Sequence, residues 1–315
     1  VRSATFSTDG APSFAVDTLD LLITWACETD SPPFFALLGE LGFGKTTTLQ
    51  ELTHRLQKKH DEDASAPIPL YLDLRRVAVP KDGISVPKLE DILKQGLEDW
   101  NLGEININLT PIDIVKCVQE DGALIIFDGL DEVIVHMEPD RARRFVRELW
   151  RVMPPAKRIE NTTPGKMIIS CRSHYFKDVW SQHKMFTGEG REGIRSEDYE
   201  AAILLPFNED QIREYITLTH GEDKVDDVWN LFQSIHNLAE LASRAYLLSE
   251  MVDLVTELED MKAQGQTVLG VTLYNLMVRN WLNRDNGKHH FSDTEKRVMM
   301  EEHAVEMHRS KRREG

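Results

Sequence analysis

The chain has 315 residues and is short of three things, and each shortage closes off a class of function. Cysteine is scarce: Cys27, Cys117 and Cys171 are scattered, with no C-x-x-C pair and no metal-like spacing. The sequence therefore offers neither a disulfide framework nor a zinc motif, and the apolar surroundings of all three suggest buried thiols in a reducing cytoplasm. Long hydrophobic runs are missing. The longest, such as Ala123–Phe127, are far too short to cross a bilayer. Positive charge is in deficit, with 37 Lys and Arg against 53 Asp and Glu and a net charge of −16. That balance argues against binding nucleic acid or an anionic membrane through the overall field. The chain opens Val1-Arg2-Ser3 without the charged, apolar and small-residue succession of a secretory signal, and the missing initiator Met suggests a piece of a longer protein. There is no internal repeat and no extended low-complexity segment. What remains, with 41% hydrophobic residues, is enough for a buried core in one large domain or a few small ones.

Against these shortages stands one dense stretch. The apolar run Phe34–Leu38 ends at Gly39-Glu40-Leu41-Gly42-Phe43-Gly44-Lys45-Thr46-Thr47, which has the spacing G-x-x-x-x-G-K-[ST] between a strand and a helix. Glycines at 39, 42 and 44 let backbone N–H groups turn inward around a phosphate chain where side chains would obstruct. Lys45 supplies a compact charge for β- and γ-phosphates, and the Thr46 hydroxyl suits Mg²⁺. A helix with Leu49, Leu52 and Leu56 on one face then points its positive end at the anion. The stretch predicts nucleoside di- or triphosphate binding.

Read in order, Val1 to about Pro12 is small and polar and reads as a linker, with a domain opening near residue 14. Leu19, Leu22 and Trp25 give a helix before the P-loop strand, and Ser31-Pro32-Pro33 ends it. Further strands are expected at Ile68–Leu74, Ala123–Asp128, Lys166–Arg172 and Ala202–Leu205. Helices are expected at Val86–Trp100, Pro111–Glu120 and about Asp140–Met153. Continuous apolar strands separated by helices indicate a parallel α/β sheet covered on both faces. Gln182–Asp198 reads as a mobile loop. Past Pro206-Phe207 the β signal stops, and helices are expected at Asn208–Leu218, Val225–Ile235, Leu238–Glu257 and Val271–Asn283. A last helix is capped by Ser292. The division is thus a linker at 1–13, a nucleotide-binding domain at 14–206, a helical domain at 207–285 and a further segment at 286–315.

A second constellation, Asp128-Gly129-Leu130-Asp131-Glu132, follows the third strand. Asp128 is the expected carboxylate for Mg²⁺, and Glu132 or Asp131 polarises the attacking water, Glu132 being favoured. Arg172 ends the fourth strand, where it either senses the γ-phosphate or pairs with a nearby carboxylate. Cys171 and His174 do not make a nucleophile–base pair, because Cys171 continues a buried strand and no third group orients the histidine. His289-His290 lacks ligand partners and reads as solvated, as does the basic run Arg309–Arg313.

Assembled, these motifs resemble a NACHT-type STAND NTPase, a class of P-loop switch found in bacterial antiviral and eukaryotic innate-immune proteins. The likeness is carried by Gly39–Thr47, Leu124–Glu132, Ile168–Arg172, Leu205–Tyr215 and Leu238–Leu248, and covers about residues 14 to 285. It implies a five-stranded parallel sheet, a helical domain and the start of a winged helix at 286–315. It also implies an off state holding ADP and an on state that binds ATP and forms homo-oligomers. Adenine over guanine, the slow Mg²⁺-dependent hydrolysis and a protein or foreign-molecule trigger sensed elsewhere all rest on the resemblance. One departure is Ala245, where the family has a proline near the adenine. Two other readings compete: a motor-type AAA ATPase, which lacks an evident arginine finger unless Arg191 or Arg195 serves, and a nucleotide-gated module that never hydrolyses. A small-molecule kinase is disfavoured, since no lid arginine cluster is apparent.

Overall fold

Apolar strands with a buried cluster on each face build the first of two compact units, Val1–Pro206. The computed structural model describes residues 1–5, 15–100, 109–154, 165–173, 199–235, 238–284 and 291–313. The chain begins with two short strands, β1 (Arg2–Thr5) and β2 (Val16–Asp17), paired antiparallel. Asp17 then caps α1 (Thr18–Cys27), its carboxylate accepting from the Leu19 and Asp20 N–H groups at 2.9 and 3.1 Å. β3 (Phe34–Leu38) is buried along its whole length and feeds the P-loop into α2 (Lys45–Glu62).

β4 (Pro69–Asp73) is followed by one 3₁₀ turn, Leu74–Arg76, and by α3 (Leu89–Trp100). A reciprocal box between Thr110 and Asp113, with Pro111 in the first turn, opens α4 (Pro111–Gln119). β5 (Leu124–Asp128), the short α5 (Leu130–Ile134), α6 (Pro139–Trp150), β6 (Lys166–Cys171) and β7 (Tyr199–Leu204) complete the unit.

The sheet order is β2-β1-β7-β3-β6-β5-β4. β4, β5, β6, β3 and β7 run parallel, and β1 joins β7 antiparallel. The sheet is therefore seven-stranded and mixed rather than five-stranded and parallel. The two extra strands were illegible because each is short and neither carries an apolar run; Arg2–Thr5 falls inside the stretch read as a linker. β7 also starts at Tyr199, earlier than expected. The loop expected at 182–198, with Arg191 and Arg195, lies outside the described residues, as do His174 and His289-His290.

Strand parity divides the apolar residues between two cores. Phe34, Ala36, Leu38, Ile125, Phe127 and Ile169 join one cluster with residues of α3, α4 and α6. Phe35, Leu37, Ile126 and Ile168 join Leu22 of α1 and Leu49, Leu52 and Leu56 of α2 on the other. Each fully buried Leu or Phe contributes on the order of 2 kcal/mol, so both faces are needed to hold the sheet. Of the cysteines, Cys171 is buried, whereas Cys27 and Cys117 are only partly so, which corrects the expectation of three buried thiols.

The second unit, Phe207–Gly315, is helical throughout its described secondary structure. It comprises α7 (Glu209–His220), α8 (Val225–Ser234), α9 (Leu238–Ala242), α10 (Ala245–Asp253), α11 (Val255–Ala263), α12 (Gly270–Arg284) and α13 (Asp293–Arg313). Asn208 and Gln211 form the capping box of α7. The single helix expected over Leu238–Glu257 is broken into segments, because Arg244 takes an extended conformation and Ser243 turns its hydroxyl back to the Glu240 carbonyl. Ile216, Phe232, Leu248 and Met251 lie in one buried cluster. No described helix is long and apolar enough to cross a membrane.

Candidate functional site

The P-loop owes its path to two left-handed glycines, Gly42 at φ 81° and Gly44 at φ 92°. At Gly39 a Cβ would sit 3.1 Å from the Leu204 Cβ, and the Gly39 N–H donates to the Cys171 carbonyl at 3.2 Å. Side chains at these three positions would strain the loop or push it off the sheet. Leu41 and Thr47 are exposed, while Phe43 packs against the core beneath the loop. Glu40 accepts from the Ser173 hydroxyl, which ties the loop to the end of β6.

Lys45 turns back into its own loop, donating to the carbonyls of Gly39 at 2.6 Å and Glu40 at 3.3 Å. Burial lowers its ammonium pKa, opposed by the Asp131 charge. A cation that gains from anionic company, at the N-terminal end of α2, is suited to a phosphate chain.

Next to it, register and parity assemble an acidic centre. Asp128 ends β5 on the same face as Ile126, the face against which α2 lies. Its Oδ2 accepts from the Thr46 hydroxyl at 2.7 Å, across 82 residues of sequence, and from the Tyr71 hydroxyl at 2.9 Å. Its Oδ1 accepts from the Ser170 hydroxyl, which in turn accepts from the Gly129 N–H at 2.9 Å. Asp128 is 1% exposed, and its carboxylate partners among the described residues are these three hydroxyls. A buried carboxylate surrounded by neutral donors, with a threonine hydroxyl beside it, offers hard oxygen ligands to a small divalent cation. Tyr71 is itself held protonated, its pKa raised well above the usual value by burial and then by the Asp128 charge.

Asp131 and Glu132 part ways. Asp131, 3% exposed, pairs with Arg172, whose Nε lies 2.7 Å from its Oδ2. Arg172 thus has a carboxylate partner in this structure. Glu132 is exposed and lines a recess of about 190 Å³ with Arg75, His136, Met137 and Arg141. Partial burial raises its carboxyl pKa, an effect opposed chiefly by Arg75. Arg75 is anchored by two 2.7 Å contacts to Asp73, the β4 residue opposite Asp128.

The structure therefore brings Lys45, Thr46, Asp128, Asp131 and Arg172 to the carboxyl ends of β3, β5 and β6, and sets Glu132 toward Arg75. Tyr71, Ser170 and Arg75 were missed by reading the sequence. Strand parity hinted at Ser170, which falls on the face of Ile168, but Tyr71 and Arg75 depend on β4 lying beside β5.

The Aeropyrum pernix ORC2 protein in its ADP form is 12% identical over 83% of this chain and 67% of that one, with a TM-score of 0.49. The Aeropyrum pernix ORC1 protein in complex with DNA is 14% identical, with 85% and 65% coverage and a TM-score of 0.45. Drosophila ORC bound to DNA is 13% identical, with 82% and 58% coverage and a TM-score of 0.44. The chain spans less than two thirds of the length of the latter two. No curated protein matches it. The NACHT domain family matches residues 34–223, a span that takes in the P-loop, the Asp128 strand and Arg172. The chain belongs to the NACHT family of P-loop NTPases.

Proposed function

We propose that this chain is the nucleotide switch of a signalling or defence protein, binding ATP and ADP with Mg²⁺ and hydrolysing ATP slowly. The observation that carries the reading is the 2.7 Å bond between the Thr46 hydroxyl and Asp128, which joins the phosphate loop to a buried carboxylate at one point. Thr46 and Asp128 are the residues that would hold Mg²⁺, and the cation would neutralise charge on the β- and γ-phosphates. The P-loop from Gly39 to Thr47 cradles the phosphates, and Lys45 exchanges its loop carbonyls for phosphate oxygens. Glu132 takes the proton of the attacking water. Asp131 serves by holding Arg172, whose pairing supports a role in which the guanidinium chooses between this carboxylate and a γ-phosphate.

A ligand shifts a conformational equilibrium only by its different affinity for the two states, and a change of partner at Arg172 supplies such a difference. In this reading the helical domain at 207–285 and the start of a winged helix at 286–315 open with nucleotide state, in the cytoplasm, and oligomerisation follows on a trigger sensed outside this chain. The expected behaviour of Glu132→Gln is retained binding with ATP trapped, measured by single-turnover hydrolysis of bound labelled ATP. Unchanged turnover in that variant would remove Glu132 from the chemistry.

A further inference from the structure

Asp128 is more closely held than a metal ligand needs to be in order to carry charge. A carboxylate turns about a broad, roughly two-fold torsion, so its orientation is set by its hydrogen bonds. Ser170 fixes Oδ1 and is itself fixed by the Gly129 N–H. Oδ2 has two donors, Thr46 and Tyr71. When the Thr46 oxygen faces a cation, its bond to Oδ2 can no longer be relied on to orient the carboxylate. Tyr71 is then the donor that persists on Oδ2, opposite Ser170 on Oδ1.

The strand geometry explains how it reaches. Tyr71 lies opposite Ile126 in the β4–β5 register, one same-face step before Asp128, and a long aromatic side chain spans that diagonal. Its ring packs against the cluster on the α2 face, so the hydroxyl is presented from a fixed platform. Burial of a tyrosine needs only some acceptor for its hydroxyl. Here the acceptor is the one carboxylate that the P-loop threonine also engages.

We propose that Tyr71 is a positioning residue for Asp128, holding the carboxylate so that it meets the cation through a single orientation and thereby favouring Mg²⁺ over Ca²⁺. Mg²⁺ demands a near-octahedral shell and keeps several waters, whereas Ca²⁺ accepts more ligands and bidentate carboxylates. A carboxylate held on Oδ1 alone by Ser170 turns more easily about that bond, and it loses more with the first ion than with the second. This inference rests on the nucleotide and Mg²⁺ reading above.

The test is calorimetric titration of ADP into the purified chain and into Tyr71→Phe, without metal, with Mg²⁺ and with Ca²⁺. The variant keeps the ring and removes one oxygen. The expected result is a Mg²⁺-dependent gain in ADP affinity about 10-fold smaller than in the parent, on the scale of one charge-assisted hydrogen bond. The Ca²⁺-dependent gain should be unchanged or larger, with metal-free affinity within about 2-fold, as fits a residue that touches no phosphate. An unaltered ratio of Mg²⁺ to Ca²⁺ gain overturns the proposal. So does a loss of metal-free affinity of the same size, which would mark Tyr71 as support for the loop as a whole. If the parent chain itself binds ADP with no gain from Mg²⁺, the metal reading fails first, and that outcome is visible before the variant is measured.

Discussion

At the carboxyl ends of the parallel strands the acidic side chains bond to other side chains, whereas at the amino end of β6 a lysine bonds mainly to backbone. Asp128 meets Thr46, Tyr71 and Ser170, and Asp131 meets Arg172. At the opposite end, Lys166 opens β6 and donates to the carbonyls of Trp25, Ala26 and Glu28 at the close of α1, and to the Ser31 hydroxyl oxygen beyond it. It also lies 5.1 Å from the Trp25 ring centroid, and the Trp25 indole donates to the Pro32 carbonyl at 2.9 Å. An ammonium on the last carbonyls of a helix satisfies groups the helix cannot, and it opposes the macrodipole. Such a contact is complete in itself. Side chains that hold one another can change partners when an anion or cation arrives, and in this chain those groups gather at the end bearing the P-loop.

The comparison predicts a hierarchy of effects. Lys45→Ala should weaken ATP and ADP binding by on the order of 100-fold or more, since a charge-assisted contact to two phosphates is lost. Retained calorimetric affinity would break the assignment of this end as the ligand end. Lys166→Met should do the reverse. It leaves helix carbonyls without a donor and should cost about 2 kcal/mol in chemical denaturation, with unchanged nucleotide affinity per folded molecule. Burial already draws this ammonium down to about 8, so the site strains against charge even in the parent. A matching loss of nucleotide affinity would show that the two ends are not separate.

Arg172→Ala sits between these cases. It strands Asp131 in a buried position and should cost roughly 1–2 kcal/mol, less than a fully buried pair because Arg172 is partly exposed. It should also narrow the difference between ATP and ADP affinity, which competition binding reads directly.

The smallest effect concerns pH. Burial raises the Glu132 carboxyl above its usual value of 4.5, with Arg75 opposing. A base must be ionised to accept a proton, so hydrolysis should be full above that raised value and fall as pH drops through it. A pH–rate profile whose acid limb lies at or below 4.5 would separate Glu132 from the reaction.

These differences also explain how much could be read in advance. The P-loop was legible because a turn with two left-handed positions and an approach to Leu204 leaves glycine as the fitting residue. β3 and β5 were legible because strands buried on both faces are apolar without a break. Asp128 and Arg172 stood out as charged residues where such runs end. Contacts between strands distant in sequence were not legible. Tyr71 and Ser170 belong to Asp128 only once the order β6-β5-β4 is known, and residue spacing does not carry strand order. Lys166 begins an expected strand without revealing its contacts, since its acceptors lie at and just beyond the end of α1, far away in sequence. The chain at Ser243-Arg244 read as helix for a similar reason: its residues suit one, and at the break the Ser243 carbonyl accepts from the distant Phe207 N–H at 2.8 Å.

The most direct test of the account is the identity of nucleotide carried through purification, released by denaturing the protein and separated by chromatography, followed by titration of ATP and Mg²⁺ into the emptied chain. The account predicts an adenine nucleotide, chiefly ADP, in the preparation, and saturable ATP binding strengthened by Mg²⁺. A protein that carries none and takes up none when ATP and Mg²⁺ are supplied would contradict it.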